Sequence, residues 1–248
     1  MEAHEKLALV IPALREAKSL PRLLAEIRAV LEGSSIPYEI LVVDDHSRDG
    51  TEELVSSIAG YDARVRLLVR RHERGLAGAI LHGWQHTDAS ILGVMDADLQ
   101  HPPHLLPELM TQISTGNDLA LASRYVNGGR THRRNPLRKL MSAASVWITI
   151  PLQRSGIRVY DPMSGFFLVQ RKCVQNIHFR PTGFKLLLEV LVRGRVRSVS
   201  EVPFAFGVRR AGRSKAGLGV ACDYLRLLAS LYVARWKEIR FPAKLSID

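Results

Sequence analysis

Four short runs, Leu7–Ile11, Glu39–Val43, Val65–Val69 and Ile91–Met95, constrain this chain more than any other feature. Each has the length of a strand and is nearly continuously apolar, as strands covered on both faces are. Helical patterns lie between them. Ser19, Leu20 and Pro21 read as a helix start, and Leu23, Leu24, Ile27, Val30 and Leu31 then recur at helical spacing. Asp49–Thr51 turns the chain into a second helix whose first turn carries Glu52 and Glu53, favourable at the positive end of its dipole. Gly75–Gly78 opens a third, running to about His86. Strand alternating with helix at this spacing predicts a mostly parallel sheet with helices on both faces. With 248 residues the expectation is a single domain spanning 1–248 with a sizeable core.

Such sheets bind ligands beyond the carboxyl ends of their strands. Pro12–Glu16, Asp44-Asp45 and Asp96–Gln100 all fall at those ends. Asp96, Asp98 and Gln100 are spaced i, i+2, i+4, which in an extended segment puts three oxygen donors on one side. Mg²⁺ and Mn²⁺ prefer such ligands and commonly hold phosphates too. The expectation is a metal-bridged nucleoside diphosphate. Asp44 and Asp45 read either as turn formers or as acceptors for a base or ribose edge. His46 and His101 have no partners at metal-ligand spacing and read as loop residues.

Beyond Asp118 the alternation breaks down. Leu119–Ala122, Phe166–Val169 and Val199–Phe206 read as strands and Phe184–Val192 as a helix. Asn127–Pro136 reads as a basic loop, Leu137–Leu152 as an amphipathic helix, Val208–Gly219 as a mobile loop, and Ala221–Arg240 as a final amphipathic helix. Charge divides at the same point. Residues 1–118 hold 11 basic against 18 acidic side chains, a net of −7, and residues 119–248 hold 24 against 6, a net of +18. Arg124, Arg130, Arg133, Arg134, Arg138, Lys139, Arg154 and Arg158 lie in a stretch, 119–160, with no acidic residue. That asymmetry points to an anionic partner: nucleic acid, an anionic membrane surface or a phosphorylated substrate. Charge alone does not separate them, but no helix-turn-helix or RNA-binding signature accompanies it. Cys173 and Cys222 show no metal or redox spacing, in keeping with a reducing compartment. No secretory signal and no apolar run near the roughly 20 residues of a membrane span is evident, so a cytoplasmic protein that does not cross the membrane is expected.

Pro12–Glu16, the Val42–Thr51 motif V-V-D-D-H-S-R-D-G-T and the Met95–Pro103 motif M-D-A-D-L-Q-H-P-P, in that order, resemble the family 2 glycosyltransferases of GT-A fold. The resemblance is strongest to the polyprenol- and dolichol-phosphate mannosyltransferases. It continues through Ser123–Tyr125, Gly128-Gly129, Asp161–Phe167, Phe184–Glu189 and Glu201–Phe206, and covers about Leu7 to Leu225. It implies transfer of a hexose, most often mannose from GDP-mannose, onto a polyprenyl phosphate with inversion at the anomeric carbon. By resemblance Pro12, Leu14, Glu16, Asp44, Asp45 and Ala97 line the donor nucleotide, and Asp96, Asp98 and Gln100 hold a divalent cation (Mg²⁺ or Mn²⁺) and the diphosphate. Arg124, Arg138 and Ser142 take the acceptor phosphate, and Arg209 and Lys215 close over the donor phosphates. Asp98, Arg124 and Arg138 are the residues expected to carry catalysis. The resemblance divides the domain into a nucleotide-sugar half (1–118), an acceptor half (119–225) and a tail (226–248). It implies a peripheral seat on the cytoplasmic face of a membrane, with a membrane-anchoring subunit as a further partner.

The chain departs from that family at two places. Pro12-Ala13-Leu14-Arg15-Glu16 replaces P-x-Y/F-N-E beside the base, and Gly212-Arg213-Ser214-Lys215-Ala216 replaces G-E-S-K-L. Another nucleotide sugar of the UDP-glucose type, or a non-polyprenyl acceptor, is the same-fold alternative. A basic nucleic-acid-binding protein is the remote one.

Overall fold

A computed structural model describes residues 6–34, 36–126, 148–153, 156–179, 185–205 and 225–233. Seven strands form one sheet: β1 (Leu7–Ala13), β2 (Tyr38–Asp44), β3 (Val65–Val69), β4 (Ile91–Met95), β5 (Leu119–Ser123), β6 (Phe166–Gln170) and β7 (Val199–Pro203), in the order β3-β2-β1-β4-β6-β5-β7. β3, β2, β1 and β4 are parallel, as the alternation predicts. β6 is antiparallel to both β4 and β5, and β7 pairs parallel with β5. The sheet is therefore mostly parallel, with one reversed strand in its interior. No pattern in the sequence announces that reversal, because a strand buried on both faces looks the same in either direction.

Side-chain alternation along the strands divides the core into two layers. Leu7, Leu9, Ile11, Ile40 and Val42 face α1 (Leu20–Glu32), α2 (Thr51–Tyr61) and α4 (Leu106–Ser114). Ala8, Val10, Leu41 and Val43 face α3 (Leu76–Gln85) and α5 (Leu186–Arg193). The helix α4 was not anticipated, although Pro107 in its first turn and Leu106, Leu109, Met110 and Ile113 on one face carry the signal. A sixth helix, α6 (225–233), buries Leu227, Leu228 and Leu231 against Leu188 and Val192 of α5 and Leu152. Its opposite side exposes Leu225, Tyr232 and Val233, and the Tyr232 hydroxyl donates to the Ile148 carbonyl at 2.7 Å.

Two expectations about elements need correction. Leu137–Leu152 does not end as an α-helix: 148–149 is a turn and Ile150–Leu152 a 3₁₀ turn, because Pro151 offers no N–H to an α-helical ladder. The strand at Val199 stops at Pro203, three residues short of the expected end. The rest of the expected 137–152 helix, the loops 127–136 and 208–219, and most of the tail lie outside the described residues.

Packing of α3 on the sheet depends on a missing side chain. A Cβ at Gly83 would stand 2.7 Å from both methyls of Val10 on β1. Gly83→Ala is expected to overpack this contact and lower unfolding free energy by about 1–3 kcal/mol. A urea denaturation series measures it, and an unchanged midpoint would contradict the packing described.

Candidate active site

Four loops meet at the carboxyl edge of the parallel strands. The loop after β1 is stitched to the loop after β2: Arg15 N donates to Ser47 Oγ at 2.8 Å and Ala17 N to Asp49 Oδ2 at 3.3 Å. Asp44 is fully buried and turned inward, where Ser47 N (2.9 Å) and Ser47 Oγ both donate to it. Asp45 accepts from Arg70 Nη1 at 2.9 Å and Gly75 N at 2.7 Å, joining the β3–α3 loop to the same edge. Burial pushes the Asp45 carboxyl above its ordinary range, against the Gly75 N–H and Arg70, which pull it down. Both carboxylates are thus engaged in holding loops, and Pro12 is buried while Leu14 and Glu16 are partly exposed beside them. Glu16 also accepts from the Ser19 hydroxyl at 2.8 Å, so Ser19 does not cap α1 with its side chain.

The backbone here is strained. Arg15, His46, Arg48 and Leu99 have φ between 54° and 62°, a left-handed conformation that costs a non-glycine residue about 1–2 kcal/mol. These are four of the five such residues among those described; all four lie in loops that follow β1, β2 or β4, and the fifth, Asn176, comes after β6 at the opposite edge. Strain concentrated on one edge of a sheet is the mark of a site whose geometry is held by its surroundings.

Asp96–Gln100 is a turn and not the extended segment that the i, i+2, i+4 spacing presupposes. Leu99 takes φ 60°, and the Asp98 carboxylate accepts from Gln100 N at 3.1 Å. Asp96 remains partly exposed, Asp98 is mostly buried, and Ala97 packs into the core. Asp96 N donates to Gly165 O at 3.2 Å, and the Asp96 carboxylate occupies the space that a Cβ on Gly165 would take. Gly165 is therefore a site residue by virtue of having no side chain.

His101, read from sequence as a loop residue, is buried beside this turn. Its ring lies between those of Phe166 and Phe204, with Nδ1 3.9 Å from Asp96 Oδ2. Burial pulls its pKa down to about 4, the Asp98 charge working the other way and Arg124 adding to the fall, so the imidazole is neutral at pH 7. Lys185, also unanticipated, reaches toward the same place from the start of α5, its Nζ 3.4 Å from the Met163 carbonyl.

Arg124, at the end of β5, is gripped by Asp161. Nε and Nη2 donate to the two carboxylate oxygens at 2.7 Å each, and Arg124 N adds a third bond at 3.1 Å. Burial works against the guanidinium charge, but the Asp161 carboxylate outweighs it and holds Arg124 more firmly protonated than usual. Asp96 acts in the same direction, so the two arms of the site sense each other. The structure places Asp44 and Asp45 at the end of β2, Asp96, Asp98 and Gln100 after β4, and Arg124 after β5, all on one edge of the sheet. Arg138, Ser142, Arg209 and Lys215 lie outside the described residues.

Residues 8–193 match the family model described as Glycosyl transferase family 2. The chain belongs to glycosyl transferase family 2. Among relatives of this family, the dolichol-phosphate mannosyltransferase of Pyrococcus furiosus is 37% identical over 98% of this chain and 68% of its own length. That of Saccharomyces cerevisiae is 35% identical over 92% of this chain and 88% of its own. Solved structures share the fold at low identity. Glucosyl-3-phosphoglycerate synthase of Mycobacterium tuberculosis superposes with a TM-score of 0.66 at 18% identity, over 93% of this chain and 80% of that one. Mannosyl-3-phosphoglycerate synthase of Rubrobacter xylanophilus gives 0.66 at 19%, over 96% and 76%. The GT-A architecture expected from sequence is the one present, and the chain is a family 2 glycosyltransferase.

Because the Asp96 carboxylate fills the Cβ position of Gly165, Gly165→Ala is expected to displace it. A shift of this order costs a transferase about 100-fold in rate. Sugar-transfer assays beside a melting curve make the comparison; wild-type activity in the variant would remove Gly165 from the site.

Proposed function

We propose that this protein transfers mannose from GDP-mannose to the phosphate of a polyprenol, with inversion at the sugar's anomeric carbon. The observation that carries the reading is identity of 35–37% to dolichol-phosphate mannosyltransferases across 92–98% of the chain. The site chemistry agrees with it. A hydroxyl acceptor would need a general base, because an alcohol is a poor nucleophile. A phosphate monoester is already an anion at neutral pH, so its oxygen attacks the anomeric carbon directly while the bond from that carbon to the donor diphosphate breaks. The protein's task is then to hold and aim two anions, which is work for arginine.

Oxygen donors at Asp96, Asp98 and Gln100 fit a hard divalent cation, and two carboxylates facing a diphosphate are repulsive without one. In solved structures of the same fold, glucosyl-3-phosphoglycerate synthase is seen with Mn²⁺ and UDP-glucose. When bound, Mg²⁺ or Mn²⁺ supplies neutralisation of the departing nucleoside diphosphate. The Pro12–Glu16 loop forms the nucleotide end of this reading, beside the loops that Asp44 and Asp45 hold in place. Arg124, with Arg138 and Ser142, forms the acceptor end, and Arg209 and Lys215 serve the donor phosphates. Residues 1–118 and 119–225 are the donor and acceptor halves of one domain.

No helix among the described residues is long and apolar enough to cross a membrane. Exposed Ile148, Leu225, Tyr232 and Val233 lie on or beside α6, and they support a peripheral seat at an anionic cytoplasmic membrane surface, directly or through an anchoring subunit.

Incubation with labelled GDP- and UDP-sugars and polyprenyl phosphate, followed by lipid extraction, tests the proposal. Label from GDP-mannose is expected in the lipid fraction and is lost with chelation or with Asp98→Ala. Full activity of Asp98→Ala would refute the cation assignment, and transfer only from a UDP-sugar would replace the donor. Arg138→Ala is expected to raise acceptor KM by roughly tenfold, with donor KM little changed.

A further inference from the structure

Glu201 stands on the edge strand β7, away from the cation turn, yet its side chain organises the turn that serves both arms of the site. Its Oε2 accepts from Tyr160 N at 2.8 Å and its Oε1 from Asp161 N at 3.1 Å. The Ser123 hydroxyl bonds to the same carboxylate. Two oxygens that both accept and never donate are a property of a carboxylate, and an amide cannot reproduce it. The parallel pairing of β7 with β5, with Leu121 opposite Glu201 and Ser123 opposite Pro203, puts Glu201 beside the end of β5.

The two amides it receives are those of Asp161 and of the residue before it, and Asp161 is the fully buried residue that grips Arg124 through three bonds. The same turn runs on through Ser164, whose N–H donates to Asp161 O at 3.1 Å and whose hydroxyl donates to Ala122 O at 2.7 Å. It finishes at Gly165, against Asp96. One end of the turn therefore clamps a guanidinium and the other abuts a carboxylate of the cation turn.

We propose that Glu201 is a positioning residue for the transfer reaction: by fixing the Tyr160 and Asp161 amides it locks Arg124 in one orientation and so sets where the acceptor phosphate lies relative to the departing diphosphate. The proposal rests on the reading of function above, and it concerns the Arg124 arm; Glu201 itself touches only Ser123 and the backbone among the contacts described.

In Glu201→Gln one backbone N–H meets an amide donor in place of an acceptor. The KM for a water-soluble prenyl phosphate is expected to rise about tenfold, with donor KM within about twofold of wild type. Arg124→Lys keeps the charge but loses the fork. If Glu201 works through Arg124, Glu201→Gln adds less than about twofold to acceptor KM in the Arg124→Lys background. Additive effects, or an unchanged acceptor KM, overturn the proposal. Should Glu201→Gln not fold, Glu201→Asp replaces it: one methylene short, it is expected to raise the same KM, and a wild-type value overturns the assignment.

A second readout needs no substrate. The Arg124 Nε–H resonance of ¹⁵N-arginine-labelled protein, assigned by its loss in Arg124→Lys, is expected to shift and to exchange faster with water in the Glu201 variant. An unmoved signal refutes the positioning role whatever the enzyme transfers. If the signal responds but wild-type protein glycosylates no prenyl phosphate, the reading of function falls and the positioning of Arg124 stands.

Discussion

The site depends on the antiparallel pairing of β4 with β6. Met95, the last residue of β4, lies opposite Phe166, the first of β6, so the turn that precedes β6 must cross the carboxyl end of β4. That crossing brings Gly165 against Asp96 and carries Asp161 to Arg124. A seventh parallel strand there would have ended where β6 begins, and the turn would have been on the far side of the sheet. Reversal of one strand is thus what lets acidic and basic chemistry from distant parts of the chain meet. The remaining parallel strands deliver their loops to the same edge, where open α/β sheets bind ligands.

Carboxylates at this edge divide by what they hold. Asp44, Asp45 and Asp161 are spent on hydrogen bonds within the protein, to Ser47, to Arg70 and Gly75, and to Arg124. Asp96 retains exposure. Burying a charged pair such as Arg124–Asp161 contributes little net stability, because loss of hydration offsets most of the attraction, but removing either partner leaves an uncompensated charge. Such a pair is better understood as fixing an orientation. The left-handed residues Arg15, His46, Arg48 and Leu99 point the same way, since stability given up locally is retained where loop geometry matters more.

Legibility in the sequence followed the physics of each signal. The limits of β3 and β4 match the expected runs residue for residue; β4 is buried along its whole length and so is apolar throughout, whereas the edge strand β3 carries an exposed Arg66. The carboxylates at strand ends were visible for the same reason. Geometry within the Asp96–Gln100 turn was not, because the left-handed Leu99 is imposed by packing and not by its own preference. His101, Gly165 and Lys185 lie within the Met95–Pro103, Asp161–Phe167 and Phe184–Glu189 motifs, but their individual places in the site come from tertiary contacts, for which one sequence offers no periodicity. The acid-free stretch after Asp118 singles out Arg124, whose partner sits just beyond the end of that stretch, at Asp161.

The closed pair of Arg124 and Asp161 separates attraction from aim. An exposed cation such as Arg158, which lies over the Tyr160 ring, draws an anion from a distance and is screened by dissolved salt. A guanidinium already neutralised by its own carboxylate exerts little pull at range and is shielded from those ions by burial. Ionic strength should therefore govern how often an anion arrives at this surface while leaving nearly untouched how it is oriented once there. The protein can change the first by varying its surface without disturbing the second.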